Sequence, residues 1–189
     1  RLVGSEMCIR DRMTHVNDVF IKYAQYDADE MIGKPHNLIR SDEMPGGAFK
    51  IMWDTIEDGR PFAAYVRNSA KSGSAYDVLA TVTPLPNGGY LSVRTRPMTE
   101  RFEAAGKLYQ EANLVEHEAE ANGVGRRERA VKGAEKIGEL LPDYDAFIRA
   151  ALPAEVQALE DAGFTLPEGS GDIYDAARAL YGELDQFMN

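Results

Sequence analysis

Residues 62–95 read FAAYVRNSAKSGSAYDVLATVTPLPNGGYLSVRT. Three runs within this stretch, Phe62 to Asn68, Ala75 to Thr83 and Gly89 to Thr95, read as strands. Tyr65, Tyr76, Val78, Val82, Tyr90 and Val93 supply the aromatic and β-branched character that suits a pleated, half-buried surface. Between the runs stand Lys71-Ser72-Gly73 and Pro86-Asn87-Gly88-Gly89, which are turn chemistry. Consecutive strands joined by short turns form an antiparallel meander rather than βαβ crossovers, so the fold class is α+β.

Upstream of the meander lie a short strand and several short helices. Asn17-Asp18 offers an N-cap for a helix over Val19 to Ala24, and Asp27 caps a turn over Asp29 to Ile32. Pro45 starts a longer helix in which Phe49, Met52, Trp53 and Ile56 recur at helical spacing, and Gly59 ends it.

Downstream, everything reads as helix. Ala105, Leu108, Ala112, Val115 and Ala119 form a short heptad stripe, interrupted by Gly123-Val124-Gly125. Val131, Ala134, Ile137 and Leu141 give a second apolar face before Pro142. Ala154 to Ala162 reads as a short helix, and Ile173, Ala177, Leu180, Leu184 and Phe187 form a last stripe. The expected organisation is a leader over 1–12, an α+β domain over 13–99, a connecting helix over 100–125 and a helical region over 126–189.

Charge divides along the same lines. The 189 residues carry a net charge of −10, with +1 in 1–12, −1 in 13–99 and −10 in 100–189. Such acidity argues against nucleic acid or an anionic membrane as the main partner. No apolar run approaches the ~20 residues of a membrane helix. Cys8, the single cysteine, excludes an internal disulfide and a cysteine-built zinc site. His117 stands among Glu116, Glu118 and Glu120 and reads as a solvated helix face, so no metal site is expected. Ser69, Ser72 and Ser74 have no histidine nearby in sequence, the glycine pairs lack phosphate-loop context, and no catalytic constellation points to an enzyme.

A series of ordered segments resembles the PAS sensor domains of bacterial aerotaxis receptors. These are Thr14-His15-Val16-Asn17-Asp18-Val19-Phe20, Ile32-Gly33-Lys34-Pro35-His36-Asn37, Met44-Pro45-Gly46-Gly47-Ala48-Phe49, Met52-Trp53-Asp54-Thr55, Gly59-Arg60-Pro61-Phe62, Val66-Arg67-Asn68 and Gly89 to Arg96. The resemblance implies a five-stranded antiparallel sheet wrapping short helices around a pocket that holds FAD noncovalently. It also implies a cytoplasmic redox or oxygen sensor that signals to a chemotaxis-type output domain. Where that family has Arg-His-Pro-Asp, this chain has Arg40-Ser41-Asp42-Glu43, and where it favours Trp, this chain has Phe62 and Asp77.

The flavin site expected from the resemblance comprises His36, Arg40, Ser41, Glu43, Trp53, Phe62 and Asn68. Arg40 suits phosphate or a ring edge, Asn68 both donates and accepts, and Trp53 and Phe62 offer aromatic faces. Each also has a plain structural reading: Trp53 as core, Arg40 solvated or paired with Asp42, Asn68 as a strand residue near a turn. Loss of the histidine at Ser41 is expected to weaken flavin retention, and Ser41→His to restore it. Haem is the disfavoured competitor, with His15 and His36 as its candidate ligands.

Residues 1–12 do not resemble the family and look like translated adapter sequence, which leaves the first strand missing. The expected partner is a second copy, met through the sheet, with Tyr65 and Tyr90 outward, and through the helix over 100–122, which projects from the sheet. A cofactor-free interaction and dimerisation module is the alternative function.

Overall fold

The computed structural model describes residues 2–9, 12–86 and 88–163. The expected stripe from Ile173 to Phe187 lies outside them. The elements run β1 (Leu2–Ile9), β2 (Arg12–Val16), α1 (Asp18–Ala24), α2 (Ala28–Met31), a 3-10 turn (His36–Ile39), α3 (Gly46–Glu57), β3 (Phe62–Ser69), β4 (Ala75–Pro84), β5 (Gly89–Thr95), α4 (Arg101–Ala121), α5 (Arg126–Leu140) and α6 (Tyr144–Asp161). The five strands form one antiparallel sheet in the order β2-β1-β5-β4-β3.

The meander closes where its turn residues demand. Ala70 N–H donates to the Ser74 carbonyl at 2.8 Å, and Leu85 N–H to the Gly89 carbonyl at 2.8 Å. Gly73 and Gly88 take φ of +86° and +80°, which a side chain would strain. The Asn17 side chain caps α1 by accepting from Phe20 N–H at 2.9 Å.

Four expectations are corrected. First, the sheet does not lack its first strand. Leu2–Ile9 pairs with β2 on one side and β5 on the other, so the sensor fold begins inside the segment read as a leader. A strand filled by pairing on both edges needs no strong propensity of its own.

Second, α4 does not project. Ala105, Ala112 and Ala119 are buried within the chain, together with Tyr109, and Leu108 packs on the same core. The helix folds back against α3 and pairs with α5, so the stripe assigned to a second copy is spent internally.

Third, α6 begins ten residues before Ala154. Asp143 caps it, accepting from Ala146 N–H at 2.8 Å. Pro153 sits inside the helix on its exposed side, where the lost backbone bond and the ring fall toward solvent. Fourth, neither tyrosine is left open to a partner chain. Tyr65 does lie on the sheet face away from the cleft but is fully buried there against α6, and Tyr90 faces the cleft beside Trp53.

The close approach of α3 to α5 depends on glycine. A Cβ at Gly47 would collide with the backbone of Gly133 and Ala134. The Glu116 carboxylate on α4 accepts from Gly46 N–H at 2.9 Å and Gly47 N–H at 2.7 Å, satisfying free donors at the start of α3. One shared core then runs from Ala48 and Ile56 of α3, through Ala64 and Leu79 of the sheet, to Ile137 of α5 and Ile148 of α6.

Candidate functional site

A cleft of about 1190 Å³ lies between the inner face of the sheet, the 3-10 turn, α3 and the α4–α5 hairpin. Its floor follows from strand alternation. Val66, Ala80 and Val82 of β3 and β4 face it, as do Tyr90, Ser92 and Arg94 of β5 and Glu6 and Cys8 of β1. Trp53 of α3 meets the Tyr90 ring edge-on, centroids 5.6 Å apart, and gives the cleft an aromatic wall.

The floor is charged and buried. Arg94 Nη2 lies 2.5 Å from Glu6 Oε1, and His36 Nε2 lies 3.1 Å from the same oxygen. The side chains of Glu6 and Arg94 are 1% and 3% exposed. Arg94 also stands over the Phe20 ring at 4.9 Å. Burial alone would raise the Glu6 carboxyl, but Arg94 and His36 outweigh it and hold it below the ordinary carboxylate range. Glu6 Oε2, Ser92 Oγ and Arg94 Nε and Nη1 are buried without hydrogen-bond partners. Buried polar atoms left open at the floor of a cavity are positioned to be satisfied by a bound group.

Of the expected site residues, His36, Arg40 and Trp53 line this cleft. Arg40 Nη2 donates to the Met44 carbonyl at 2.6 Å, and its guanidinium lies 4.5 Å from the Phe49 ring centroid. The other four do not line it. Ser41 is buried, its Oγ accepting from Glu43 N–H at 3.2 Å. Glu43 turns outward to pair with Arg67 at 2.6 Å, because Arg67 lies on the opposite face of β3. The Phe62 ring stacks on Tyr144 of α6 at 5.9 Å. Asn68 forms a backbone bridge with Arg40, and both polar atoms of its buried amide lack partners. His15 is exposed on β2, beside Thr14 Oγ1 at 3.1 Å.

Sequence reasoning missed Glu6, Ser92 and Arg94. Glu6, like Cys8 beside it on the floor, falls in the segment that reads as a leader. Strand alternation in β5 could have placed Tyr90, Ser92 and Arg94 on one face. Only the fold brings Glu6 beside them.

No family model matches the chain. Over 109 residues, 56% of its length, it is 37% identical to the aerotaxis receptor of Escherichia coli (strain K12). The chain carries a PAS sensor domain of the aerotaxis-receptor type. This PAS-bearing chain is also 26% identical over 78 residues, 41% of its length, to the nitrogen fixation regulatory protein of Klebsiella pneumoniae. It spans 22% of the first relative and 16% of the second. Among solved structures, the light state of the blue-light photoreceptor Aureochrome1 LOV aligns with 56% of this chain and 90% of its own, at 16% identity and a TM-score of 0.49. No helix among the described residues is long and apolar enough to cross a membrane.

Proposed function

We propose that this PAS domain binds a flavin noncovalently in the cleft and passes a redox or oxygen signal to its C-terminal helices as a non-enzymatic, cytoplasmic sensor. The observation that carries the reading is the floor: a buried Arg94–Glu6 pair with open donors and an open acceptor, beside the Trp53–Tyr90 wall. A flavin ring presents aromatic faces and an edge of alternating donors and acceptors, which fits that set. His36, Arg94, Glu6 and Ser92 would hold the edge, and Trp53 and Tyr90 would pack on the ring. FAD is the form that the aerotaxis-receptor likeness favours.

A bound flavin supplies reversible reduction, which changes the protonation of its ring edge. The protein's part is to sense that edge. Arg94 lies on β5, one residue before the strand ends, and five residues separate Thr95 from α4. Within that linker, Met98 N–H and Thr99 N–H donate to the buried Glu155 carboxylate of α6 at 2.7 and 3.2 Å. A change in the hydrogen bonds of Arg94 therefore acts on the strand that feeds the helical layer, and a shift between two packings of that layer is the signal. A chemotaxis-type signalling domain is the proposed receiver.

The test is the visible absorbance of the purified protein and its change on reduction. Bound oxidised flavin, bleached by reductant and restored by air, is the expected result. Protein that carries no flavin and takes none up on titration overturns the reading and favours a cofactor-free interaction module.

A further inference from the structure

The α4–α5 hairpin does more than cover the cleft: it brings cations to its mouth. The acidic last ninety residues hold nine Lys and Arg, and three of them fall within four positions, Arg126, Arg127 and Arg129. All three line the cleft, as does Arg40.

Besides Glu6 on the floor, the carboxylates facing the same space are Asp42, Asp54, Glu57, Glu116 and Glu120. Three are engaged elsewhere. Asp54 is held by Lys50 at 2.7 Å, Glu116 caps α3, and Glu120 pairs with Arg129. Among the described residues, no carboxylate pairs with Arg126 or Arg127. The α5 helix starts at these residues, and its N-cap, Gly125, supplies no side-chain cap, so first-turn N–H groups add to the positive field, offset in part by Glu128 in the same turn. Burial lowers the Arg40 pKa; Glu116 opposes that most strongly, while Arg126 lowers it further and Asp42 raises it, so Arg126 stands near enough to Arg40 for their like charges to interact. A separate observation calls for a ligand here: Arg94, 3% exposed, directs unpartnered nitrogens to the floor of the same cleft.

We propose that Arg126 and Arg127, together with Arg40, form a phosphate clamp for the ligand whose ring lies on the Arg94–Glu6 floor, making the hairpin part of the binding site. This rests on the flavin reading and extends it to the phosphate-bearing flavins. Ligand occupancy then ties α5 to the sensor directly, alongside the route through β5.

The test is calorimetric titration of the full chain with riboflavin, FMN and FAD, repeated for the double variant Arg126→Gln/Arg127→Gln. The expected result is that FMN or FAD binds at least ~10-fold tighter than riboflavin. The double variant loses that preference and keeps its riboflavin affinity. In the unaltered protein, raising ionic strength to about 1 M shrinks the preference, a readout independent of whether the variant folds. A preference for phosphate that survives both salt and the double variant, or no preference at all, overturns the clamp and leaves the flavin reading standing. Failure of all three flavins to bind the unaltered protein overturns the flavin reading and the clamp with it.

Discussion

The Glu6 carboxylate and the Arg94 guanidinium pair at 2.5 Å across neighbouring strands, on the floor of the cleft and almost wholly out of water. Two charges removed from solvent repay their desolvation only through each other and through further hydrogen bonds. Here His36 contributes one such bond, while Glu6 Oε2 and Arg94 Nε and Nη1 stay open. The pair by itself therefore contributes little net stability, and its open atoms are those the proposed ligand would satisfy.

Removing one partner exposes that arrangement. Glu6→Gln leaves the Arg94 charge buried and is expected to cost about 3 kcal/mol at neutral pH. Because the folded carboxyl lies below the ordinary value of 4.5 for a free glutamate, its contribution is present above that pH and is lost as pH falls through the lower, folded value. The stability gap between the native protein and Glu6→Gln, measured by urea melts, should narrow as the solution is taken below pH 4.5. A gap that stays constant to strongly acidic pH would remove Glu6 ionisation from the account.

The α3–α5 crossing gives a paired steric test. Gly47→Ala forces a methyl into the backbone of Gly133 and Ala134 and should destabilise by about 2–3 kcal/mol. Gly106→Ala, in α4 with nothing within 4 Å of the added carbon, should stabilise by about 0.5–1 kcal/mol. Thermal melts of the two variants should therefore move in opposite directions.

Glu155 anchors α6. It is 1% exposed and accepts from Tyr65 Oη at 2.7 Å and Thr99 Oγ1 at 2.6 Å, as well as from two backbone N–H groups. Glu155→Ala strands these donors and should cost about 2–3 kcal/mol. Hydrogen exchange should accelerate first in Met98, Thr99 and the α6 backbone, while the β1–β5 pairing stays protected.

Ser41→His separates the resemblance from the geometry. A histidine there is expected from the family pattern to improve flavin retention. Ser41 is buried and does not line the cleft, so the ring must force its way into packed structure at about 1–3 kcal/mol. Denaturant melts should show the loss, and flavin content should not rise.

Much of the fold was legible locally. The strands of the meander, the Asn17 cap and the ends of α3 and α4 follow from turn chemistry, capping and periodicity, which act over a few residues. Trp53, Arg40 and His36 were legible as cleft residues through the resemblance. Glu43 and Phe62 were misplaced, because the partners that turn them away, Arg67 and Tyr144, lie 24 and 82 positions along the chain.

By itself the sequence determined the α+β class, the antiparallel meander and the change to helix after Thr99, since each is written in nearest-neighbour preferences. Only the tertiary structure decided the rest. A weak leader became β1 because β2 and β5 satisfy its backbone on both edges. A heptad stripe that suited a partner chain turned inward, because Gly47 and Gly133 let α5 approach α3. Glu6 and Arg94, eighty-eight positions apart, came to share one buried, charged floor. Local patterning specifies which face of an element is apolar or charged, but not what meets that face; that depends on close packing over the whole chain.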